Sequence, residues 1–121
     1  QADFTTTFAG LAAIAESGKP PDEAGADGRF SAWCGRWLQR LAREPGDPKT
    51  AVALMRRSNP VVIPRNHRVE EALAAAAAGD LTVFERLLTV LRDPFVETPT
   101  NTPYRGGPPP GCGPYRTFCG T

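Results

Sequence analysis

The sequence is poor in the side chains that most often carry chemistry, with one histidine, His67, one methionine, Met55, and three cysteines. A lone histidine, with no cysteine or second histidine at ligand spacing, argues against a metal site made by this chain alone. A serine or cysteine nucleophile would have only that one imidazole as its base, and no nucleophile signature accompanies it. No residue is therefore assigned a catalytic or metal-binding role. Charge of either sign is not in excess: the net value is +1, which makes no whole-chain case for nucleic acid or for an anionic membrane. No apolar run approaches the length of a membrane span, and the N-terminus lacks the basic-then-apolar pattern of a signal peptide. An odd cysteine count argues against a closed disulfide framework, so the expected setting is cytoplasmic. Because Met55 is the sole methionine, residue 1 does not read as a translation start, and the chain is expected to be a piece of a longer one.

What the sequence does have is helical pattern cut by proline and glycine. Its 121 residues are 40% hydrophobic, with 13 prolines and 12 glycines concentrated in residues 18–28 and 94–121. The packable part is therefore expected over 1–95, with an irregular tail over 96–121 that contributes little to stability. Asp3 is placed to cap a first helix with Phe4, Phe8, Leu11 and Ala15 along one face. Phe30, Trp33, Cys34, Trp37, Leu38 and Leu41 then recur at i, i+3, i+4, i+7, i+8 and i+11, the strongest amphipathic pattern present, which predicts a central core helix anchored by Trp33 and Trp37. Asp47-Pro48 opens a third helix, with Pro48 at the first helical position where its missing N–H costs nothing, and Val52, Leu54 and Met55 form its apolar side.

Residues 59–71 read Asn-Pro-Val-Val-Ile-Pro-Arg-Asn-His-Arg-Val-Glu-Glu. Pro60 and Pro64 push the residues before them out of the helical region, making 61–63 an extended plug. Asn66 is placed to cap an alanine-rich helix whose contact face is Val69, Ala72, Leu73 and Ala76. Gly79 closes that helix and Asp80 opens the next, with Leu81, Phe84, Leu87, Leu88 and Leu91 on one stripe. The predicted fold is all-α: about five helices in an irregular bundle, the last two forming an αα-hairpin, followed by a Pro/Gly-rich tail.

Two constellations are candidate sites. Arg56, Arg57, Arg65 and Arg68 cluster in sequence, and arginines beside a helix N-terminus suit an anion such as phosphate; the competing reading pairs them with Glu70, Glu71 and Glu85 or with a domain outside this piece. Cys112 and Cys119 lie in the tail, where a thiol is accessible and the two are near enough in sequence to bridge, whereas Cys34 falls in the apolar stripe and reads as a small buried hydrophobe. His67 reads as a cap or surface residue.

The run Asn-Pro-x-x-Ile-Pro-Arg-Asn-His-Arg-Val-Glu-Glu-Ala-Leu, the following Gly79-Asp80 and Phe84-Glu85-Arg86-Leu87-Leu88, the opening Asp3-Phe4-Thr5 and the closing Tyr115-Arg116-Thr117-Phe118-Cys119-Gly120-Thr121 resemble the C-terminal region of the selenoprotein O (YdiU) family. The resemblance implies a fragment of a pseudokinase-like protein adenylyltransferase, whose full-length form binds ATP and magnesium and transfers AMP to protein hydroxyl groups. It implies that the catalytic residues lie upstream, that this fragment alone is not an enzyme and holds no cofactor, and that its partners are the upstream kinase-like domain and, for the parent, protein substrates. In that family a cysteine near the C-terminus, selenocysteine in some animal members, is assigned a redox role that includes a disulfide with the kinase-like part; Cys119 matches this position and Cys112 falls outside the pattern. The alternatives are a free-standing helical protein-interaction module and a small nucleic-acid binder using the four arginines.

Overall fold

The computed structural model describes residues 2–21, 28–109 and 111, and among them it contains five α-helices, a short 3-10 turn and no strand. The chain divides into two units, 1–60 and 61–121. In the first, α1 (Phe4–Ser17) begins where the Asp3 carboxylate accepts from the Thr6 N–H at 2.8 Å, and ends at Gly18, whose φ of 66° lets its N–H reach the Ile14 carbonyl at 3.0 Å. α3 (Pro48–Ser58) begins in the same way, with the Asp47 carboxylate accepting from the Lys49 N–H at 2.9 Å and Pro48 in the first turn. Helices of 14 and 11 residues are too short to stand alone in water. They pack on each other, burying Leu11, Ala12 and Val52.

α2 (Gly28–Leu41) forms where the apolar periodicity places it, but it is not the core helix expected. Of the stripe, Cys34 is fully buried, Phe30, Trp37, Leu38 and Leu41 are half-buried, and Trp33 is 41% exposed. The rings form a ladder instead: Phe30 stacks on Trp33 at 6.0 Å between centroids, and Trp33 on Trp37 at 5.9 Å. Spacing determines which side chains share a stripe; how much of that stripe is covered depends on what packs against it, which spacing does not contain.

The second unit is built on α4 (Asn66–Ala77) and α5 (Thr82–Arg92), which pack antiparallel as the expected αα-hairpin. Gly79, at φ 91°, makes the turn: its N–H donates to the Ala76 carbonyl at 3.0 Å while the Asp80 N–H donates to Ala75 at 2.9 Å, the paired bonds of a glycine-terminated helix. The Asp80 carboxylate then accepts from both the Thr82 N–H and the Thr82 hydroxyl, which starts α5 and holds that carboxyl below its ordinary pKa. Ala72, Leu87 and Val90 are buried. The plug is also in place: Val62 is 1% exposed, and the Val61 N–H donates to the Pro94 carbonyl at 2.8 Å.

One expectation is corrected in this unit. Asn66 does not cap α4; it is the first helical residue, and Arg65 occupies the cap position in an extended conformation without a side-chain capping bond. Within the irregular segment that follows α5, Asn101 is 3% exposed and residues Thr102–Tyr104 form the 3-10 turn.

Candidate functional site

The densest set of polar contacts lies where the start of α4 meets residues 96–105. Asn101 organises the segment from inside: its side-chain amide donates to the Val96 carbonyl at 2.7 Å and accepts from the Thr98 N–H at 3.0 Å, closing the chain into a tight loop. The loop is then held by α4. The Arg65 guanidinium donates to the Arg105 carbonyl at 2.8 Å, and Arg68 donates to the Pro103 carbonyl at 2.9 Å while its charge lies 5.5 Å from the centre of the Tyr104 ring. A second Arg68 nitrogen pairs with Glu71 at 2.9 Å, and Arg105 pairs with Glu97.

These contacts decide what the arginines do. Arg65 and Arg68 lie together at the start of α4, and each donates to one backbone carbonyl of residues 103–105. Arg56 belongs to the other unit and pairs with Glu16 at 2.5 Å. Both members are more than half exposed, so that pair contributes little. Arg57 is exposed in the last turn of α3, where a cation favours the negative end of the helix dipole.

His67 lies half-buried in the first turn of α4. Burial lowers its pKa from the ordinary 6.5, and the neighbouring Arg68 and Arg65 charges lower it further against the opposing pull of Glu71. It is therefore a neutral imidazole at pH 7. Cys34 is a buried free thiol whose pKa burial pushes up, the opposite of what a reactive cysteine needs. Among the described residues no three histidine, cysteine, aspartate or glutamate side chains converge on a point that would hold a metal ion. No helix among them is long and apolar enough to cross a membrane. Cys112 and Cys119, the redox candidates, lie outside the described residues.

The residues that sequence reasoning missed are Glu97, Asn101, Tyr104 and Arg105. The only local signal was the polar turn composition of Thr98-Pro99-Thr100-Asn101; Glu97 and Asn101 bond within their own segment, whereas the Arg105 carbonyl meets Arg65, 40 residues away in the chain.

No family model matches the chain, and no solved structure matches it. Similarity to curated proteins runs through its whole length. It is 47% identical over 124 residues to a protein nucleotidyltransferase YdiU of Brevibacillus brevis, 47% identical over 122 residues to that of Geobacillus kaustophilus, and 48% identical over 122 residues to that of Syntrophotalea carbinolica. Each match takes in 100% of this chain. The chain is a region of the YdiU family. It spans only 24–25% of those relatives' length, a share consistent with the C-terminal region. The five segments that carried the resemblance are spread through this YdiU-family region, from Asp3 to Thr121, in agreement with a match that leaves none of it out.

Proposed function

We propose that this YdiU-family region is the non-catalytic helical C-terminal part of a selenoprotein O-like protein adenylyltransferase, whose full-length form uses ATP and magnesium to place AMP on serine, threonine or tyrosine hydroxyls of other proteins. The observation that carries the reading is 43–48% identity over essentially the whole chain to proteins named as nucleotidyltransferases. Nucleotidyl transfer works through positioned phosphates, metal-bound carboxylates and cationic clamps. The described residues do not fit those groups: no acidic cluster is assembled, and the two arginines best placed for a phosphate already grip carbonyls. The chemistry is therefore assigned to the kinase-like remainder of the protein, on which this region packs, and Cys119 is its redox residue.

The test is transfer of label from ATP labelled at the α-phosphate, in magnesium. The 121-residue chain alone should label nothing, and the full-length protein should label protein substrates. Label transferred by the short chain above a no-enzyme control would overturn the non-catalytic assignment; a full-length protein that transfers none would overturn the adenylyltransferase assignment. For Cys119, mass spectrometry of the oxidised full-length protein should find it in a disulfide that Cys119→Ser abolishes, and Cys119 recovered only as free thiol would remove the redox role. A second reading, a helical protein-interaction module, is favoured by one observation, the open apolar groove between α4 and α5.

A further inference from the structure

The groove has a wholly apolar lining, with Pro64, Val69 and Leu73 along one side and Phe84, Leu88 and Leu91 along the other. Leu73 is 52% exposed and Phe84 and Leu88 are each 42% exposed. α5 therefore carries two apolar stripes: Leu87 and Val90 are buried, while Phe84 and Leu88, one turn apart, remain open. A groove with no polar group in its lining has nothing to orient a charged or hydrogen-bonding ligand, and Phe84 and Leu88, at i and i+4, offer an apolar seat of the kind that takes the apolar face of another helix.

We propose that this groove is the seat of an amphipathic helix contributed by the rest of the same polypeptide in the full-length YdiU-family protein. The inference rests on the reading that this region belongs to a larger protein. Its support is the length of chain outside the structure: the region spans 24–25% of its relatives, so about three quarters of the family polypeptide remains available to cover it. Tethering also favours that occupant over a second copy, because a linked segment is presented at an effective concentration on the order of millimolar, far above that of a separate molecule.

Hydroxyl-radical footprinting with mass spectrometry tests the assignment on the full-length protein and on the 121-residue chain. Leu73, Phe84 and Leu88 should label readily in the short chain and several-fold more slowly in the full-length protein, at every concentration tested. Leu88→Glu in the full-length protein should restore labelling of Leu73 and Phe84 with helical content unchanged, and Leu88→Met should not. Equal labelling in both proteins would overturn the inference. Protection that appears only at high concentration would assign the groove to a second copy, and protection already present in the dilute short chain would assign it to residues 1–60 or the tail; either overturns it. Adenylyl transfer measured on the same full-length sample separates the two readings: transfer with an unprotected groove refutes the seat alone, and a protected groove without transfer refutes the enzymatic assignment alone.

Discussion

Replacing Asn101 by alanine should release residues 96–105 from α4 without unfolding the helices. Asn101 is 3% exposed and its amide makes two bonds within the loop, one donated to the Val96 carbonyl and one accepted from the Thr98 N–H. Each such bond is worth about 0.5–1.5 kcal/mol net, and the groups left behind regain water only in part because Thr98 is half-buried. The loss should be about 2 kcal/mol of local stability, which raises the open population roughly 30-fold. Trypsin reads this directly, because the bond after Arg105 has its carbonyl held by Arg65 and its side chain paired with Glu97. When opening and closing are fast, cleavage follows the open population, so cutting after Arg105 should accelerate by about that factor while cutting after Arg36 in α2 should not. Asn101→Asp, which keeps the acceptor and loses the donor, should fall between. Cleavage after Arg105 as slow in the alanine variant as in the parent chain would show that the segment is not held by this side chain.

Val62→Ala removes two methyl groups from a site 1% exposed, and at roughly 0.8 kcal/mol per methyl plus the cavity left behind it should cost about 2–3 kcal/mol, seen as a lower urea midpoint for the second unit. Gly79→Ala should cost about 1–2 kcal/mol by the same measurement, all of it backbone strain at φ 91°, since nothing lies within 4 Å of an added Cβ. His67 has a folded pKa below its unfolded 6.5, so the unfolded chain binds the proton first: its contribution should be intact above pH 6.5 and lost as pH falls from 6.5 through the folded value. His67→Gln should flatten that part of the stability profile, and a parent chain that gains stability over the same acid range relative to the variant would contradict the direction.

Helix boundaries were legible in the sequence because their causes are local. A carboxylate two or three residues ahead of an N–H, a proline in a first turn and a glycine free to take positive φ act within a few residues, so Asp3, Asp47, Gly79 and Asp80 could be read in place. The prolines flanking 61–63 were likewise enough to predict an extended plug, and Val62 is its buried tip. Even here a local rule has a limit: Asn66 and Arg65 are one step apart, and which of them leaves the helix is not resolved by capping preference. The family was legible for a different reason, since residue identities were retained in order along the whole chain. Covering and pairing were decided only in three dimensions. The stripe of α2 was visible, but that Trp33 stays at the surface while Cys34 is sealed depends on neighbours brought from elsewhere in the chain. Four arginines could be counted, but that two of them meet the Arg105 and Pro103 carbonyls depends on where the backbone of residues 103–105 returns, and no period in the tail announces that return. Periodicity and capping are properties of neighbours in sequence; burial and charge pairing are properties of neighbours in space.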